Sequence, residues 1–167
     1  DAEKYDARVI QSRCVYYQGM IVDLGDEDKT TEAKKERFGL GKTLADNAQK
    51  LQKGRAEAYY YFGINLGRWA EANGIMKSLS ERHNLRRSME SVLVKTAILN
   101  GKTIPGKEWD AYGANRTLGR MYFKLPGAFG GDNEKAEMYL REAYAKEPKD
   151  RPNTLNGYYL AEVLVAV

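Results

Sequence analysis

Arg116 and Arg120 are the side chains in this sequence best placed to do chemistry together. At i,i+4 on a helix they share one face. Two guanidiniums on one face suit a carboxylate or an acidic peptide, which each can grip through parallel N–H donors. Two outcomes are open to them. They hold an anion, or carboxylates of the same chain compensate their charge.

Nothing comparable is assembled for catalysis. The single His and single Cys, His83 and Cys14, lie far apart in the chain and leave no Cys–His or Ser–His–Asp constellation. One Cys also excludes an internal disulfide and a multi-Cys zinc site. Cys14 beside Val15 and Tyr16 reads as a small buried hydrophobe. His83, within the polar run 80–87, reads as a solvated helix residue. Gly41-Lys42-Thr43 matches the end of a phosphate-binding loop, but Glu36 stands where that motif needs its first glycine, and no strand precedes it. Asp23, Asp26, Glu27 and Asp28 cluster without the residue order of a calcium loop, so they read as a solvated turn and helix start. The expectation is a protein that is not an enzyme and has no cofactor or metal.

Seven of the twelve tyrosines come in runs: Tyr16–Tyr17, Tyr59–Tyr60–Tyr61 and Tyr158–Tyr159. On a helix, neighbours lie about 100° apart. One member can face the core while the next faces another helix or a groove. Packing between helices and an aromatic wall for a ligand are both open.

The elements that must position these residues are helical. Apolar residues make up 43% and charged residues 30% of 167, which suits one soluble globular domain. The net charge of +4 is mild, and both signs are interspersed, so no nucleic-acid stripe is expected. No apolar run reaches the roughly 18 residues of a membrane helix. The sequence starts at Asp1 without a Met, which leaves room for an export segment upstream.

Helices are expected over 2–22, 31–51, 56–73, 78–100, 114–124 and 132–146, with a last one from Thr154. Ser78 and Glu81 have capping-box spacing. Gly101 reads as a helix stop and 101–113 as a loop. With no strand alternation, the expected class is all-α. Between Lys124 and Asp132 the chain breaks at "LPGAFGG". Pro126 ends one helix, the glycines free the backbone, and Asp132 caps the next. Phe129 either tucks onto the core or the whole loop forms the rim of a groove.

A pattern of large–small–x–x–large residues recurs at Phe62-Gly63, Leu118-Gly119 and Leu160-Ala161. Ala136, Leu140, Ala143 and Pro148 follow the second of these. This order resembles the tetratricopeptide (TPR) repeat. The insertion "LGRMYFKLPGAFGGDNEKA" is similar to that of the T component of TPR-associated tripartite (TRAP) periplasmic transporters, and of the related regulator-of-microtubule-dynamics proteins. From Gly119 to Ala136 the chain runs roughly five residues longer than the repeat's usual spacing.

The resemblance implies a single domain over 1–167. It would be a right-handed α-solenoid of antiparallel helix hairpins at roughly 2–51, 56–100 and 114–146, with a partial one from 154. It implies that first helices line a concave face carrying Arg116 and Arg120, with Tyr60, Asn65 and Arg68 at matching places on the neighbouring hairpin. The implied function is a non-catalytic scaffold for a protein or peptide partner, a periplasmic solute-binding protein among them. The implied location is periplasmic or membrane-anchored, a cytoplasmic scaffold being the alternative. The alternative function is a small-molecule or acidic-peptide binder using the same Arg/Tyr groove. The final helix, apolar at Leu160, Leu164 and Val165, is expected to leave a strip that another chain covers, as in a homo-oligomer.

Overall fold

The computed structural model describes residues 1–166. It is 77% helical, in line with the all-α expectation. The helices are α1 (Ala2–Ile21), α2 (Glu27–Leu51), α3 (Ala56–Ala72), α4 (Ile75–Val94), α5 (Gly113–Lys124), α6 (Asn133–Lys146) and α7 (Thr154–Ala166).

Local chemistry fixes several ends. Asp26 accepts a hydrogen bond from the Lys29 amide and caps α2, and Asp132 does the same for α6 through Lys135. Two of the four clustered carboxylates thus serve the turn. Asp26 makes this cap, and Asp23 accepts from the Gly25 amide. The start of α4 corrects the expected capping box. Gly74, at φ 94°, opens the helix, and Ser78 lies inside it, bonded to the Gly74 carbonyl.

A second correction concerns strands. Helix α4 stops at Val94, and β1 (Thr96–Leu99) pairs antiparallel with β2 (Lys102–Pro105). Asn100 and Gly101 turn this hairpin with φ of 51° and 75°. Two positive φ values in a two-residue loop make the tight turn whose twist matches the flanking strands, and Asn-Gly favours it. Gly101 therefore turns a hairpin and stops no helix.

Each helix packs on the next along α1–α4 and again along α5–α7. Contacts also join α1 to α3, α3 to α5 and α5 to α7. One core runs through all of them, with Tyr5, Ala58, Met89, Leu118, Leu140 and Val163 fully out of solvent. Small residues set the helix approach. A methyl group on Gly63 would strike the Met89 side chain, and one on Gly119 would strike Leu140 and the Ala136 carbonyl. Ala161, third in that pattern, is exposed.

Glu57 anchors the junction of α1, α3 and β1. It is 1% exposed, yet all its neighbours are donors. Tyr5 donates to it at 3.1 Å, Arg55 through Nη2 at 2.6 Å, and the Ile98 amide at 2.8 Å. The Arg55 guanidinium also lies over the Tyr5 ring and bonds Asp6. A buried carboxylate satisfied on this scale behaves as a fixed part of the core.

Candidate functional site

A cavity of about 620 Å³ opens between α1, α3, α5 and α7, with the first half of α4 along one side. That volume is within the range of small-molecule sites, roughly 300–1,000 Å³. Tyr16 and Met20 enter from α1, Tyr60, Ile64 and Arg68 from α3, Arg116, Arg120 and Met121 from α5, and Leu155 and Tyr159 from the start and middle of α7. Leu79, Arg82 and Leu85 come from α4. Leu125 and Pro126, at the head of the Gly-rich break, lie on the rim.

The break is built by contact as much as by freedom. Gly130 has φ 92°, and a methyl group on Gly131 would lie 1.8 Å from the Leu125 carbonyl oxygen. Only glycine fits there, and the turn it closes brings Asp132 back so that its amide donates to the Tyr122 carbonyl. Phe129 does not tuck onto the core. It is 44% exposed, with the Arg82 guanidinium 5.9 Å from its ring.

Four of the five residues expected at the site line this cavity: Tyr60, Arg68, Arg116 and Arg120. The fifth, Asn65, is a correction. It is fully buried in the seam of α1, α2 and α3, where its amide donates to Ser12 at 3.2 Å and to the Tyr61 carbonyl at 2.8 Å. Gly41 gives it room, since a methyl group there would come within 2.2 Å of its Oδ1. Being one residue beyond Ile64 turns it about 100° away from the cavity.

Of the two outcomes open to the arginines, carboxylates of the same chain are the one realised. Arg116 is only 6% exposed. Its Nη2 donates to Asp110 and, at 3.2 Å, to the Tyr60 hydroxyl. Its Nη1 donates to Asn156 Oδ1 at 3.0 Å and to the Asp110 and Ala111 carbonyls. Tyr60 in turn donates to Asp110. Asn156 donates to Glu147 at 2.7 Å and to the Ala111 carbonyl at 3.0 Å. This cluster ties α3, α5, α6 and α7 together at one end of the cavity.

Burial pushes the Tyr60 hydroxyl well above its ordinary range, and the neighbouring Asp110 pushes it further. Burial alone would lower Arg116, but Tyr60 and Asp110 outweigh it and hold the guanidinium above its usual value. Both groups are therefore fixed donors at any working pH.

The backbone under Asp110 is unusual. Asp110, Ala111 and Tyr112 have φ of 51°, 50° and 61°, three successive non-glycine residues in the left-handed region. Gly113 follows, and a methyl group there would strike the Tyr60 ring and hydroxyl.

Arg68 bonds Glu71 at 2.8 Å, and Arg120 bonds Glu162 at 2.8 Å while lying over the Tyr159 ring. Lys124 reaches the same Glu162 at 3.3 Å. Burial opposes the charge on Arg68, but Glu71 and the Tyr16 hydroxyl raise it above its usual value. For Glu162, burial acts upward, and the hydrogen bonds from Lys124 and Arg120 outweigh it and lower the carboxyl below its ordinary value.

Sequence reasoning missed Asp110, Asn156 and the pairing role of Glu162. Glu71, three residues after Arg68, was within reach of helix spacing. The tyrosine runs divide unevenly. Tyr159 is buried and Tyr158 exposed, but Tyr60 and Tyr61 are both buried. Cys14 corrects another expectation: it is exposed, off the buried stripe of Tyr5, Val9, Ser12 and Gly19. The strip expected on α7 is present at Leu164 and Val165, 45% and 88% exposed, but Leu160 is buried. No protein-family model matches this chain, and no curated protein matches it.

Proposed function

We propose that this chain is a non-catalytic, TPR-like binding scaffold, a right-handed solenoid of hairpins whose concave face is the working surface. The observation that carries this reading is the cavity itself. Its walls come from α1, α3, α5 and α7, the first helices of successive hairpins as a repeat scaffold would supply them, with the first half of α4, a second helix, closing one side. Arg68 and Arg120, about one-third exposed, offer N–H donors to a partner while keeping their own carboxylates.

The partner in this reading is a protein or peptide, a periplasmic solute-binding protein being the candidate that the TRAP-type insertion suggests. The location that goes with it is periplasmic or membrane-anchored. The exposed strip of α7 would meet a second copy of the chain. Affinity capture comparing the parent with an Arg68→Glu/Arg120→Glu variant tests the groove. Loss of the captured partner with unchanged helical circular dichroism is expected. Equal capture by both proteins would overturn the reading.

A second reading is favoured by the size and lining of the cavity. A space of this size with tyrosine and aliphatic walls suits a small molecule better than a broad protein surface. Binding of a neutral apolar dye in the cavity, lost on Ile64→Glu, is the expected outcome.

A further inference from the structure

We infer that the cavity takes a single-chain amphiphile with an anionic head, held at Arg82, its chain lying along the aliphatic wall. This rests on the reading of the cavity as a ligand site.

The charges around the cavity decide the class. Arg68 has Glu71, Arg116 has Asp110, and Arg120 and Lys124 share Glu162. Among the described residues, Arg82 is the cation lining this cavity with no carboxylate partner. Its neighbour Glu81 is engaged elsewhere, by Lys77 at 3.0 Å and by the Asn84 amide at 2.7 Å. Arg82 Nη1 donates to the Leu79 carbonyl. Its Nε is buried with no hydrogen-bond partner at all. What the cavity offers at Arg82 is a guanidinium with no counter-charge, which an anionic head would supply.

The remaining charges exclude other classes. A strongly acidic ligand would meet the Glu71, Glu81 and Asp110 carboxylates that line the cavity, each already engaged by a donor of this chain, and like charges would oppose it. A bare inorganic anion would leave the aliphatic wall of Met20, Ile64, Leu85, Met121 and Leu155 unused. A neutral apolar ligand would leave the Arg82 guanidinium without a counter-charge. One negative head on one apolar chain satisfies all three conditions. At the rim, Ile75 lines the cavity yet stays 71% exposed, a ledge for the far end of such a chain.

The test uses the full chain, with decanoate and decan-1-ol as probes and Nile red as a neutral reporter. Decanoate is expected to bind by calorimetry and to displace Nile red, with decan-1-ol clearly weaker. Arg82→Gln should weaken decanoate by roughly tenfold to a hundredfold while Nile red binds the variant as it binds the parent. That retained dye binding also shows that the variant is folded. Arg82→Lys, which keeps the charge and loses the fork, should fall between. Equal affinity for decanoate and decan-1-ol, or unchanged decanoate binding by Arg82→Gln, would overturn the proposal. Nile red binding without decanoate binding removes the head-group site and leaves the ligand cavity standing. Binding of neither removes both.

Discussion

The Glu57 and Arg116 clusters are made from the same parts, a tyrosine hydroxyl, a carboxylate and an arginine, and they differ in which member is buried. In the first, the carboxylate is 1% exposed and Arg55 reaches outward to Asp6. In the second, the arginine is buried and Asp110 keeps 34% of its side chain in solvent. The first is sealed by β1 and borders no described cavity. The second forms a wall of the 620 Å³ cavity. Residue type therefore does not separate a structural cluster from a site wall. What separates them is whether the charge that remains, once a partner is removed, can reach water.

That comparison can be broken most decisively at Arg55. Arg55→Ala leaves Glu57 ionised in the core, and thermal or urea denaturation should register a loss of about 3–5 kcal/mol. A loss below about 1 kcal/mol would mean that Tyr5 and the Ile98 amide satisfy the carboxylate unaided. Arg116→Ala should cost less, about 2–3 kcal/mol, because Asp110 can rehydrate. If the second loss exceeds the first, exposure of the surviving partner is not the governing variable.

Tyr60→Phe sharpens the difference further. It removes one donor to Asp110 and one acceptor from Arg116 while keeping the ring, so about 1 kcal/mol is expected from denaturation. The smallest effect belongs to Glu162→Gln, at most about 1 kcal/mol at neutral pH, because the pair is partly exposed and screened. Its sign with pH is fixed. The Glu162 carboxyl is lowered in the fold, so its contribution is complete above the ordinary glutamate value and is lost as pH falls through the lower one. The difference in melting temperature between parent and variant should therefore shrink in acid. A difference that grew there would contradict the pairing.

Much of the helical layout was legible because its signals are local. Asp132 caps α6 with its own side chain, and Gly119 lies where α5 meets Ala136 and Leu140. Asn100–Gly101 misled because a glycine after an apolar run serves a helix end and a hairpin turn equally well. Of the site, Arg116 and Arg120 follow from their i,i+4 spacing and Tyr60 and Arg68 from the places the repeat resemblance implies, although Tyr60 and Arg116 are buried. Asn65 fails because it lies on the other side of its helix, where its amide N–H groups find Ser12 and the Tyr61 carbonyl instead of a ligand. Asp110 could not be read at all. Its role needs a left-handed backbone that its residue type does not announce, and a partner, Asn156, far along the chain.

The left-handed run Asp110–Tyr112 has a consequence for the order of events in folding. Each such residue costs roughly 1–2 kcal/mol relative to the right-handed form, so the isolated segment does not adopt this shape. It forms only once Arg116, Tyr60 and Asn156 are already in place to hold it. The segment is then expected to form after the folding nucleus and to be among the first to come apart. Ala111→Gly, which relieves the strain and leaves the Asp110, Arg116, Tyr60 and Asn156 side chains in place, should slow unfolding measured by stopped-flow and leave the refolding rate nearly unchanged.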